Sequence, residues 1–245
     1  CLPSPPEMGG IFFFLSPLPV ACSMAINKEK FQELKRICAA NGANLVAVSK
    51  TKPIADILEL YQEGQRDFGE NYVQELVEKQ PLLPADIRWH FIGHLQSNKV
   101  KYIAPFIYLI QGVDSEKLLT EINKQALKHN RKINCLLQVH IAEEETKFGF
   151  SPAEAKVLLH KIIDNPSLYS NIIIYGLMGM ASLTDDTAKI RGEFRALAGM
   201  FHQFKKIFPS FNTLSMGMTA DYEMAIEEGS NMVRIGSLLF GQRKS

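Results

Sequence analysis

Eight short apolar runs recur along this sequence, and most of them are separated by stretches with helical spacing or by loops. They occupy 45–48, 67–72, 88–93, 108–113, 134–141, 172–180, 213–217 and 232–236. Runs this short, rich in β-branched and aromatic residues and bounded by turn residues, read as buried strands. Buried strands alternating with helices, with no break in composition, favour one parallel α/β domain. The expected fold is therefore a single (β/α)8 TIM barrel with an extra N-terminal helix, whose inner face carries Phe31, Leu34, Ile37 and Cys38. A doubly wound open sheet is the alternative. It loses ground because no GxGxxG turn follows the first run. Two helix starts stand out: Ser115, and the Ser151-Pro152-Ala153-Glu154 capping box.

The chain has 245 residues, 46% hydrophobic and 22% charged, with a formal net charge of +1. That composition suits a soluble globular domain and supplies no basic arm for nucleic acid. Cys1, Cys22, Cys38 and Cys135 form no CxxC pair, so a reduced, cytoplasmic setting is expected. Residues 1–24 hold an apolar run at Ile11–Leu15, but no Lys or Arg precedes Lys28. Without a charged n-region, and too short to span a bilayer, this segment reads as a non-native or disordered extension. The domain proper is expected over 25–245.

Chemistry is first suggested at Leu45–Pro53. Side chains alternate along a strand, so Val46, Val48 and Lys50 share one face and place a lysine amine at the strand's carboxyl end. Strand-end lysines are commonly just solvated, and Lys52, ahead of Pro53, is expected to point to solvent. Barrel sites lie at the carboxyl ends of strands, and phosphates often sit after strands seven and eight. Those loops here are Ser215-Met216-Gly217-Met218-Thr219 and Gly236-Ser237, which offer hydroxyls and close-approaching backbone N–H groups. Arg234 lies inside the eighth strand, where a guanidinium needs either a ligand acceptor or an ion pair; Glu70 and Asp221 are the candidate partners. His90 and His94 have no carboxylate or cysteine at ligand spacing, so no metal site is expected. A lysine amine, a phosphate cup and a third group for a ring nitrogen are together what pyridoxal phosphate requires.

Six segments also carry a family likeness: LVAVSKTKP (45–53), GQRDFGENYVQE (64–75), WHFIGHLQSNK (89–99), GLMGM (176–180), LSMGM (214–218) and VRIGSLLFG (233–241). In this order they closely resemble the pyridoxal-phosphate homeostasis proteins, a family related in fold to the barrel domain of alanine racemase. The resemblance runs from about Lys28 to Arg243. It implies Lys50 as the lysine in Schiff-base linkage with pyridoxal 5'-phosphate, and Arg234 at the pyridine nitrogen. It implies Ser215, Gly236 and Ser237 at the phosphate, with Met218 in the same loop and Asn71 near the ring. His94 stands where some relatives have proline.

Two functions follow as expectations. The first is a monomeric cofactor-binding protein with no strong catalysis of its own, holding pyridoxal phosphate and passing it to pyridoxal-phosphate-dependent apoenzymes, with neither nucleic acid nor membrane as partner. The second is a racemase-like enzyme. The resemblance weighs against it, because alanine racemase carries a further β-domain with a second acid/base, whereas this sequence ends at Ser245. A third reading, a barrel enzyme using Lys50 as an aldolase-type amine, requires a protein that binds no pyridoxal phosphate.

Overall fold

A computed structural model describes residues 26–144 and 148–241; the expected 1–24 extension lies outside the described residues. The strands are β1 (Asn44–Val48), β2 (Asp67–Glu70), β3 (Arg88–Phe91), β4 (Leu109–Val113), β5 (Ile133–Gln138), β6 (Ile172–Met178), β7 (Thr213–Ser215) and β8 (Met232–Ile235). All pair in parallel, in chain order, and β8 returns to β1 to close the barrel. The helices are α1 (Lys28–Ala40), α2 (Ile54–Gln62), α3 (Val73–Lys79), α4 (Val100–Ile103), α5 (Glu116–Lys128), α6 (Pro152–Asp164), α7 (Thr187–Lys205), α8 (Tyr222–Glu227) and α9 (Ser237–Phe240). Among the described residues, no helix is long and apolar enough to cross a membrane.

Local signals explain the helix ends. Asn27 accepts from the Lys30 N–H to start α1, Ser115 accepts from Leu118 N–H to start α5, and the Ser151/Glu154 box starts α6. Between β2 and β4 the connections shrink to α3, α4 and two short 3-10 turns. Several strands stop before the apolar runs do. Asn71 and Met180 therefore leave the ladder as loop residues at the barrel's carboxyl end, where Met218 also lies.

Alternation divides the core into two shells. Leu45, Ala47, Leu137, Val233 and Ile235 face outward and pack with the helices. Val46, Leu109, Leu136, Met178 and Met232 face inward and form a separate apolar cluster inside the barrel. The inner shell also carries buried polar residues: His90, Gln111, Ser215 and Arg234. Gly176 in β6 takes φ +151°, and a Cβ there would stand 1.8 Å from the Thr213 carbonyl oxygen. Only glycine lets β6 and β7 approach this closely.

Candidate functional site

A cavity of about 440 Å³ opens at the carboxyl end of the barrel, within the size range of small-molecule sites. Its wall combines Val48 and Lys50 from the end of β1, Asn71 after β2, Met218 and Thr219 after β7, and Arg234, Gly236 and Ser237 from β8 onward. The alternation expected along the first strand holds: Val46 packs in the inner cluster, while Val48 and Lys50 line the cavity above it. Six of the seven residues singled out from the sequence thus meet in one place.

The loop that carries Lys50 is tied down from both sides. Lys79 Nζ donates to the Ser49 carbonyl (2.8 Å), Glu70 Oε1 (2.8 Å) and Glu75 Oε1 (2.6 Å). Ser49 Oγ donates to the same Glu70 oxygen, and Thr51 N–H donates to Glu75 Oε1. Burial raises the Glu70 carboxyl above its ordinary value, with the Lys79 charge opposing it. Thr51 itself adopts φ +62°, which turns the chain back so that Lys52 N–H reaches the Ser49 carbonyl.

This turn overturns the expectation for Lys52, which is only 7% exposed. Its ammonium donates to the carbonyls of Phe240 (2.7 Å) and Gly241 (3.3 Å), at the carboxyl end of α9. A cation suits the orphan carbonyls at a helix end. Lys52 also lines the cavity, but its ammonium is held by these carbonyls, whereas Lys50 is half-buried in the same wall.

Arg234 is 4% exposed at the cavity floor. Neither carboxylate considered from the sequence pairs with it directly. One Nη donates to Ser215 Oγ (2.6 Å) and the other to the Gly179 carbonyl (3.1 Å). Burial pushes the guanidinium down to about 10, with the more distant Asp221 charge opposing, so it stays charged at neutral pH. Ser215, expected at the phosphate, is instead fully buried beneath Arg234, and its hydroxyl donates to Gln111 Oε1 (2.7 Å). Gln111 Nε2 sits 3.0 Å from His90 Nδ1, and His90 Nε2 sits 2.9 Å from Asp67 Oδ1.

Asp67 anchors the far end of this row. Burial would raise its carboxyl, but hydrogen bonds and charge from Arg88 and His90 outweigh that and hold it at about 2. A carboxylate held below its ordinary 3.8 stabilises the fold above that pH, and the contribution is lost as pH falls through about 2. The size is on the order of 2 kcal/mol. Urea unfolding followed from about pH 5 downward should show this loss, and Asp67→Asn should flatten that part of the profile.

The remaining wall has the character of an anion cup. Gly217 takes φ +89°, and a Cβ there would lie 2.6 Å from that of Ala225, so only glycine allows the β7 loop to turn against α8. Met218 N–H is engaged by Asp221 Oδ1, while Ser237 Oγ donates to Thr219 Oγ1 (3.2 Å), joining the two final loops. A Cβ on Gly236 would crowd the Val48 carbonyl at 3.3 Å, and Gly236 lines the cavity with backbone alone. Asn71 Oδ1 is buried without a protein partner among the described residues. A primary amine, a fixed guanidinium, hydroxyls beside bare backbone and an unpaired amide oxygen fit pyridoxal phosphate. Lys50 would hold its aldehyde carbon, Thr219, Gly236 and Ser237 its phosphate, and Arg234 its ring nitrogen.

Gln111 and His90 were not singled out as part of this site. The signal was a glutamine inside the apolar run Leu109–Val113, which is costly unless hydrogen-bonded. His94 pairs with Asp114 at 2.7 Å and stacks on Phe148. Among the described residues no group of three or more His, Cys, Asp and Glu could hold a metal ion.

A closed (β/α)8 barrel with a lysine above its first strand defines a class of domain, and residues 25–244 match the family described as "Alanine racemase, N-terminal domain". Within the class the likeness narrows. The chain is 43% identical over 208 residues to the pyridoxal phosphate homeostasis protein of Haemophilus influenzae, covering 83% of this chain and 86% of that one. It is 37% identical over 243 residues to the protein of the same name from Homo sapiens, covering 92% and 87%. The solved structure of PipY from Synechococcus elongatus PCC7942 with PLP bound superposes with a TM-score of 0.77 at 32% identity, covering 87% of this chain and 99% of that one. The chain belongs to the pyridoxal phosphate homeostasis protein family.

Proposed function

We propose that this protein binds pyridoxal 5'-phosphate reversibly through Lys50 and hands it to apoenzymes that depend on it, with little catalysis of its own. The observation that carries this reading is the convergence, in one cavity, of the Lys50 amine, the buried Arg234 guanidinium and the Thr219/Gly236/Ser237 wall. The names of the relatives and the PLP-bound PipY structure support it. When bound, the cofactor supplies an aldehyde that links reversibly to primary amines and a ring that can act as an electron sink.

The chain's own residues favour holding over turnover. Arg234 facing the ring nitrogen disfavours a proton there, because a second positive charge beside a guanidinium is costly, and an unprotonated ring is a poorer sink. Racemisation would need an acid/base on each face of the substrate Cα. Lys50 can serve one face. The tyrosines that could serve the other, Tyr72 and Tyr222, do not line the cavity. The buried free thiols of Cys38 and Cys135 are compatible with a cytoplasmic protein.

The test is to incubate cofactor-loaded protein with L-amino acids in deuterated water. Transfer of the cofactor to an apoenzyme, without solvent deuterium entering Cα, is the expected result. Deuterium at Cα or D-isomer accumulating over many turnovers per site would establish the racemase-like alternative instead.

A further inference from the structure

The guanidinium of Arg234 donates only to neutral oxygens among the described residues, yet it is almost fully buried. The chain behind it explains how its charge is tolerated, because with the Gln111 amide placed as it is the links all run one way. A guanidinium can only donate, so Ser215 Oγ accepts from Arg234, and with Gln111 Oε1 facing it the serine proton goes on to that oxygen. That turns the Gln111 amide so that its NH2 faces His90 Nδ1, which must then carry the lone pair. The imidazole proton is left on Nε2, where it donates to Asp67 Oδ1. Asp67 is in turn gripped by Arg88 at the opposite end of the barrel. Four hydrogen bonds aligned head to tail polarise one another and run from the cavity floor to a carboxylate.

Resting on the reading above, we propose that Gln111, backed by His90 and Asp67, is a positioning residue that fixes which N–H groups of Arg234 face the cavity and so sets the state of the cofactor's ring nitrogen. A carboxylate placed directly against Arg234 would engage it as a bidentate fork and turn its donors away from the ligand. The relay brings negative charge into register with the arginine while leaving donors aimed upward. Ser215 holds the orientation from below, and the Gly179 carbonyl holds it from the side.

The first test needs neither variant nor cofactor. Nitrogen-15 NMR of the imidazoles in cofactor-free protein should show His90 as the Nε2–H tautomer, and an Nδ1–H tautomer would overturn the proposal. The second uses Gln111→Met, which keeps the volume and removes both polar ends. Borohydride should still fix the cofactor to Lys50, while the absorption maximum of the bound cofactor shifts and its affinity falls about ten-fold, as expected for one lost oriented charge-assisted bond. Unchanged spectrum and affinity would also overturn the proposal. In cofactor-free Gln111→Glu, whose carboxylate accepts from both sides, His90 should gain a proton on Nδ1; retention of the Nε2–H form would count against the relay. A wild-type protein that binds no pyridoxal phosphate would sink the functional reading, while the tautomer results would still judge the relay.

Discussion

Lys50→Ala is expected to abolish covalent attachment of pyridoxal phosphate while leaving the fold nearly intact. Lys50 and Lys52 both line the cavity, but Lys50 is half-buried in a wall that also holds Arg234 and Gly236, while Lys52 is buried with its ammonium on the end of α9. Its backbone is fixed by groups that alanine does not disturb: Thr51 N–H on Glu75 and the Ser49 carbonyl on Lys79. Stability should therefore change by no more than about 1 kcal/mol. Borohydride reduction and peptide mapping should label Lys50 in the wild type and no lysine in the variant. Lys52 cannot step in, because its ammonium is committed to two carbonyls of the last helix. A label on Lys52 in either protein would overturn the assignment.

Lys79→Met should give the largest loss of stability, on the order of 3–5 kcal/mol at neutral pH. Its ammonium compensates Glu70, which is fully buried and whose Oε2 has no partner among the described residues. Methionine would fill the volume and leave that carboxylate uncompensated. Protonation of Glu70 is the available relief. Its folded-state pKa, raised already by burial, would rise further, so the folded state would keep a proton that the unfolded chain releases. The loss therefore grows as pH rises through that pKa and shrinks toward acid. Urea unfolding at about pH 7 and about pH 5 should show this slope, and adding Glu70→Gln should recover most of the loss. A loss below about 1 kcal/mol would show that water reaches Glu70.

The barrel was legible because its strands are short runs whose alternation survives folding. Val46, Val48 and Lys50 were placed on one face by spacing alone, and they lie on one face. The polar row through the interior was not legible. Its members sit on five different strands, β2, β3, β4, β7 and β8, and only barrel closure brings them into contact. Ser215 was counted with the loop 215–219 after the seventh strand, but it is the last residue of β7 and its hydroxyl turns inward to Gln111. Lys52 was misplaced because its acceptors lie 188 and 189 residues further along, where no local pattern can announce them.

That last contact bears on how the molecule is made. Lys52 grips the end of α9, the Asn27 N–H donates to the Leu239 carbonyl, and β1 pairs with β8. A ribosome delivers Lys50 well before Arg234, Gly236 and Ser237. Contacts this distant in sequence close late and slowly. A nascent chain therefore presents the Lys50 amine long before the rest of the cavity wall exists, and the pocket closes only once α9 has docked.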